Sequence, residues 1–287
     1  MKFWQALSFT ETDQLLDLAR ICEQVGFHGV FVSDHVFVPE KLESKYPYSP
    51  DGSPPFQPET DWPDSFAAIS AMAAVTKTLH FTTGVYIATL RHPLLVAKAV
   101  ASASVLSGGR VALGTGVGWI REEYEQLGEG FHDRGERLDE MCEVLREVWS
   151  GGMVEHHGKH YDFDRLQQSP APPARIPIWI GGASPPAMRR AARHDGWIGA
   201  GDDPADVPGI VERLRRLRRE QGASGEFEII AALNAAPDVD LFRRMQDAGA
   251  TGLVSYPLLY TLGPGTTIEQ KRAALEAWAE AFIVPCR

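Results

Sequence analysis

Disulfide-forming cysteine, long apolar runs and positive charge are all in short supply in this chain, and each shortage excludes something. Three cysteines in 287 residues, Cys22, Cys142 and Cys286, are odd in number and far apart, which speaks against a disulfide framework. Cys22 and Cys142 fall in helical patterns, where the expected role is that of a small buried hydrophobe. No stretch approaches the roughly 20 apolar residues of a membrane span. The opening MKFWQALSF lacks the apolar run of a signal peptide. A cytoplasmic protein in a reducing compartment is expected, with no membrane partner. Lys and Arg number 28 against 38 Asp and Glu, a net charge of -10 that sets nucleic acid aside as a partner. Metal ligands are also missing. His156, His157 and His160 fall in an expected surface hairpin with no cysteine or matched fourth ligand, so no metal is expected. A small-molecule substrate is left.

What is present is an alternation of short apolar strands with amphipathic helices. Lys2 to Phe9 reads as a strand, and Thr10 with Asp13 resembles a capping box opening a helix that Gly26 stops. Gly29 to Val32 is the second strand, ending in Ser33-Asp34-His35. A long irregular segment, about 37–63, follows; a loop of that length in a compact domain is usually functional or disordered. Asp64 caps a helix to Thr76, Leu79 to Ala88 is the third strand, and Pro93 opens a helix to Val105. Val111 to Leu113 is the fourth strand, and a helix runs from about Arg134 to Trp149. After a second insert at about 151–175, the rhythm resumes with strands at Pro177 to Ile180, Trp197 to Gly199, Phe227 to Leu233 and Gly252 to Tyr256. Eight strands, each followed by a helix or long connection, predict an α/β fold, a (β/α)8 TIM barrel in a single domain spanning 1–287. A doubly wound open sheet is the alternative.

In such a barrel the active site lies at the carboxyl ends of the strands. The residues expected there include few acids or bases and many glycines and aromatics, which suits a large flat cofactor better than hydrolysis. Gly114, Gly116 and Gly118 alternate after the fourth strand, where the lack of a Cβ permits close backbone approach. A Rossmann phosphate loop would need a third glycine at position 119 and an acidic strand end about 20 residues on. Position 119 is Trp119, and HDRGERL near Asp133 is no strand. A second glycine-rich end, Gly181-Gly182-Ala183-Ser184, leads into a helix with Ser184 as N-cap and Pro185 as first residue. Free N–H groups and the helix dipole predict an anion site there, against the plainer reading of a capped turn. Arg189, Arg190 and Arg193 on that helix read mostly as a solvated basic face.

Four segments together resemble the luciferase-like monooxygenase superfamily, most of all its deazaflavin (coenzyme F420)-dependent oxidoreductases. They are VSDH at Val32 to His35, TTGVYIATLRHP at Thr82 to Pro93, LGTGVGWIREEYEQLG at Leu113 to Gly128, and IWIGGASPPAMRRAARHDGW at Ile178 to Trp197. The helix beginning DRGERLDE is similar too. The resemblance implies a bacterial-luciferase-like barrel with a deazaflavin or flavin at the strands' carboxyl ends. It implies a non-prolyl cis peptide at Gly84-Val85 behind the ring system. Gly114, Thr115 and Gly116, with Gly181, Gly182 and Ala183, would line the phosphate and ribityl chain. Asp34 and His35 would stand beside the reactive ring, with His35 as proton partner. The function implied is hydride transfer between coenzyme F420 and an organic substrate. An FMN-dependent monooxygenase and a non-catalytic flavin-binding barrel are the alternatives, and a homodimer is a common state of such barrels. One departure stands out: sugar-phosphate dehydrogenases of the superfamily have a glutamate after the GTG turn and a tryptophan past the Asp-His pair, where this chain has Val117 and Val38-Pro39. Trp119, Tyr86, Tyr256 and Tyr260 are candidate pocket walls.

Overall fold

The computed structural model describes every residue except Pro264 and Arg287, and for Leu259 and Tyr260 it describes the backbone only. The side chain of Tyr260 as a pocket wall therefore lies outside the described residues. Among the described residues ten strands run in chain order: β1 (Lys2–Ala6), β2 (Gly29–Val32), β3 (His80–Thr83), β4 (Leu113–Thr115), β5 (Val154–His157), β6 (Asp162–Leu166), β7 (Ile178–Gly181), β8 (Gly196–Ile198), β9 (Glu228–Ala231) and β10 (Gly252–Ser255). Eight of them form one parallel sheet in the order β3-β2-β1-β10-β9-β8-β7-β4. The two ends of that order meet. Phe81 donates to the Arg110 carbonyl at 2.9 Å, Ala112 donates back to Phe81 at 2.9 Å, and Tyr86 donates to Gly114 at 2.8 Å. Single bridges pair Phe81 with Val111 and Tyr86 with Thr115. This is the expected eight-stranded barrel, and β5 and β6 form the expected antiparallel hairpin outside it.

The longer helices pack against the outside of the barrel through buried apolar side chains. In α1 (Leu15–Val25), Leu15, Leu18, Ala19, Ile21 and Cys22 are buried, and Gly26 ends the helix at φ 95°. Asp64 caps α2 (Ser65–Ala74), accepting from Phe66 at 3.1 Å and Ala67 at 2.8 Å. Then come α3 (Pro93–Leu106), α4 (Arg121–Gln126), α5 (Arg134–Val148), α6 (Pro185–Arg193), α7 (Val207–Glu220), α8 (Val239–Ala248) and α9 (Ile268–Trp278). Among the described residues no helix is long and apolar enough to cross a membrane.

Three local expectations fail for identifiable reasons. Thr10 does not cap α1: a 3-10 turn at Thr12–Gln14 intervenes, and Asp61 of the long loop takes the Thr12 N–H at 2.9 Å. The third strand stops at Thr83, because the chain turns at a cis Gly84-Val85 peptide instead of running on to Ala88. The fourth ladder lies two residues later than predicted, so Gly114 is inside the strand. A Cβ there would stand 1.8 Å from the Thr83 carbonyl oxygen, so only glycine admits that neighbour.

The barrel interior is filled by Trp4, Ala6, Phe31, Ala112, Trp179, Ile198, Ile230, Ala232 and Val254. Its amino-end layer depends on pairing large with absent side chains. The Trp4 ring occupies the space a Cβ on Gly29 would take, and Trp179 does the same over Gly196.

Candidate active site

The carboxyl-end mouth of the barrel is where the chemistry-bearing groups meet. Ser33, Asp34 and His35 leave β2 in divergent directions. Asp34 turns back into the protein: its carboxylate accepts from both terminal nitrogens of Arg91, at 2.7 and 2.9 Å, and from the Ile87 N–H at 3.0 Å. Arg91 also lies over the Tyr86 ring, 4.3 Å from its centroid. Asp34 is thus committed to holding the Tyr86–Arg91 segment behind the mouth. Tyr86 is buried against Phe66 and is core, not a wall of the mouth. Burial raises its hydroxyl pKa above the ordinary range.

His35 turns the other way, and its Nδ1 lies 3.0 Å from Oε2 of Glu123 on α4. The other oxygen of Glu123 accepts the Val36 N–H at 2.8 Å. In sequence Glu123 is one of two adjacent acids, and its separation of 88 residues from His35 hides the contact. Around the His35 ring the long loop and the turn after β4 build an aromatic enclosure. Ring centroids lie 4.8 Å away for Trp62, 5.1 Å for Phe56 and 6.2 Å for Trp119. Phe9 packs edge-on to Trp62 at 5.5 Å and, at φ 62°, is the one non-glycine in the left-handed region among the described residues. Residues held in that region cluster at binding sites. Beside the rings opens a cavity of about 500 Å³ whose lining includes Phe9, Glu11, Phe56, Glu59, Asp61 and Lys271.

The glycine-rich strand ends have a more specific explanation than close approach to a ligand alone. The Val85 side chain fits between two of them: a Cβ on Gly181 would stand 2.5 Å from its Cγ1, and one on Gly116 would stand 2.8 Å from its Cγ2. Thr115 is fully buried, its hydroxyl donating to the Tyr86 carbonyl at 2.8 Å. Gly114, Thr115 and Gly116 therefore underlie the mouth, whereas Gly84, Val85, Gly181 and Gly182 are partly exposed at it and Ala183 is exposed.

The anion site predicted at α6 is narrower than the sequence suggested. Pro185 and Pro186 fill the first two helical positions and have no N–H, and Ser184 Oγ takes that of Ala187 at 3.4 Å. The donors left are the N–H groups of Gly182, Ala183 and Ser184, which bond to no described group. Three adjacent free donors at a strand end suit a phosphate-bearing tail. The arginines contribute little: Arg190 is buried and bonded to Asp139 at 2.8 Å, a correction to the solvated face, and Arg193 pairs with the same carboxylate.

Two further groups matter. Asp202, after β8, is buried and accepts from Ala232 at 2.8 Å; burial raises its pKa to about 6. Tyr256 meets Phe31 edge-on at 6.1 Å. The hairpin histidines stand elsewhere, bonded to carboxylates: His156 to Glu147 at 3.0 Å and His157 to Asp162 at 2.6 Å.

The sequence model of the luciferase-like monooxygenase family matches residues 4–279. The chain belongs to that family. Among its luciferase-like relatives, Rv0940c of Mycobacterium tuberculosis, an uncharacterized protein, is 37% identical over 285 residues, 99% of each chain. An F420-dependent glucose-6-phosphate dehydrogenase of Nakamurella multipartita is 29% identical over 94% of this chain and 78% of its own. The crystal structure of monooxygenase RslO1 from Streptomyces bottropensis superposes over 100% of both chains with a TM-score of 0.79 at 18% identity, which shows the shared fold. The chain is accordingly an oxidoreductase-family barrel.

Proposed function

We propose that this protein is an F420-dependent oxidoreductase that moves a hydride between the deazaflavin and a small organic substrate. The observation that carries this reading is the arrangement of one histidine, His35, over a mouth whose opposite rim offers the free N–H groups of Gly182, Ala183 and Ser184. The cofactor would be held with its phosphate-bearing tail on those N–H groups and its ring over Gly84 and Val85. When bound it supplies the two-electron hydride chemistry, and the protein supplies position and electrostatics. Val85, seated between Gly116 and Gly181, backs the ring, and the Asp34–Arg91 pair keeps that wall in place. His35 moves the proton that accompanies the hydride, a task suited to a residue type that titrates near neutrality. Phe56, Trp62 and Trp119 exclude water from it.

The substrate class differs from that of the dehydrogenase relative. The cavity beside the Phe9 and Phe56 rings is lined by three carboxylates, Glu11, Glu59 and Asp61, against one lysine, Lys271, which is already bonded to Glu11 and Gln14. Such a lining repels a phosphate, in keeping with Val117 in place of the sugar-phosphate enzymes' glutamate. An uncharged substrate with an apolar part fits the neighbouring rings of Phe9 and Phe56.

The second reading, an FMN monooxygenase, has the fold shared with RslO1 in its favour. Tryptophan fluorescence separates the two, since Trp62 and Trp119 both stand beside the mouth. Titrating apoprotein with deazaflavin should quench it at micromolar levels, with FMN at least about tenfold weaker, a difference of roughly 1.4 kcal/mol. A preference for FMN would move the assignment to a monooxygenase. Binding of neither would remove the cofactor role.

A further inference from the structure

We infer that Glu123 is a positioning residue that fixes the tautomer of His35, placing the proton on Nδ1 and the lone pair on Nε2. The side chains involved are almost sealed from solvent: Glu123 is 1% exposed and His35 8%. Oε1 of Glu123 is pinned by the Val36 N–H at 2.8 Å, main chain adjacent to the histidine itself. Oε2 is thereby presented to Nδ1 at 3.0 Å. An ionised carboxylate can only accept hydrogen bonds, so Nδ1 must be the donor. With the proton there, a neutral ring has its lone pair at Nε2, which bonds to no described group. The opposite tautomer would set two lone pairs against each other in a buried place where neither finds water.

The consequence concerns what His35 does. A ring poised this way receives a proton at Nε2, so the substrate reacts from a form that gives one up, as a hydroxyl does. Asp34 cannot take the orienting role, because both of its oxygens are committed to Arg91 and Ile87. This consequence rests on the oxidoreductase reading, but the tautomer itself does not, and it can be tested without any cofactor.

The test is nitrogen NMR of apoprotein labelled with 15N-histidine, with His35→Asn identifying the His35 signals among nine histidines. In the neutral ring, Nδ1 of His35 should show a pyrrole-type shift and Nε2 a pyridine-type shift. In Glu123→Gln the amide oxygen can keep the Val36 bond while its NH₂ faces the ring, so the two shifts should exchange places. Glu123→Asp, which keeps a carboxylate, should retain the wild-type pattern and serves if the Gln variant folds poorly. A wild-type ring protonated on Nε2, or an unchanged pattern in Glu123→Gln, would overturn the assignment. If the tautomer is as stated but the deazaflavin does not bind, the proposed function fails and the role of Glu123 stands.

Discussion

The two mouths of this barrel both hold histidines, and they hold them in different ways. At the carboxyl-end mouth His35 has a dedicated carboxylate on one nitrogen and none of the described groups on the other. At the amino-end mouth His28 and His80 stack on each other, centroids 4.6 Å apart, against Trp4. Burial lowers the pKa of both, that of His28 to about 4, with His80 and Lys2 adding to the effect on it. Those two rings are kept neutral and used as packing material. Charge follows the same division. Lys2 and Glu228, and Arg146, Arg175 and Asp195, are paired off around the amino end, whereas the carboxyl end presents unpaired N–H groups. One end closes the barrel and the other leaves groups free for a ligand.

The largest expected effect breaks the comparison from the functional side. His35→Ala should lower kcat by about 10²–10⁴ with any substrate found by screening against oxidised deazaflavin. Cofactor affinity should change by no more than a few-fold, and thermal stability should fall because Glu123 Oε2 is left buried without its partner. Full turnover per folded molecule in the variant would mean that His35 is packing, like His28.

Trp179→Ala is the mirror experiment. It removes a buried indole from the floor of the barrel and should cost about 3–5 kcal/mol in denaturant unfolding. Turnover per folded molecule should stay within a few-fold. A variant that loses activity without losing stability would show that the amino-end layer takes part in the chemistry.

Gly181→Ala sharpens the role of the glycine-rich ends. The added methyl meets Val85, a β-branched side chain with little freedom to rotate away. A destabilisation of about 1–3 kcal/mol is expected, with weakened deazaflavin binding. Shrinking the neighbour in Gly181→Ala/Val85→Ala should recover part of the stability, a coupling that a double-mutant cycle measures. Additive losses would show that the two residues do not share that space.

The smallest effect is in pH. A histidine whose folded pKa is depressed takes up its proton first in the unfolded chain. The stability from keeping His28 neutral is therefore complete above its ordinary 6.5 and is lost as pH falls towards about 4. Thermal midpoints should drop between pH 7 and pH 5, and His28→Gln should flatten that slope. A slope unchanged in the variant would show that other groups carry it.

Much of this was legible in the sequence, for physical reasons that particular residues illustrate. Asp64, Pro93 and Gly26 mark helix ends through local chemistry, so α2, α3 and the end of α1 fall where predicted. The alternation of strands and helices calls for a parallel sheet, and its closure into a barrel is seen in the bonds between β3 and β4. Of the candidate site, His35 stands out in the sequence through its motif, and Glu123 does not. That contact joins residues 88 apart in sequence, and no periodicity reports it. Thr10 failed as a cap because a distant carboxylate, Asp61, took over the turn that the local pattern assigned to it. The glycines after β4 and β7 were visible as glycines. Their partner, the Val85 side chain, became visible only once the chain's turn at Gly84 was known.

The central claim is that the cofactor binds at the carboxyl-end mouth, its phosphates on the strand end after β7. Backbone amide hydrogen exchange with and without the deazaflavin tests it most directly. Slowed exchange at Gly182, Ala183 and Ser184, with the amides of Trp4, His28 and Trp179 unchanged, is the predicted result. Protection confined to the amino-end residues, or none at Gly182 to Ser184 under saturating deazaflavin, would contradict it.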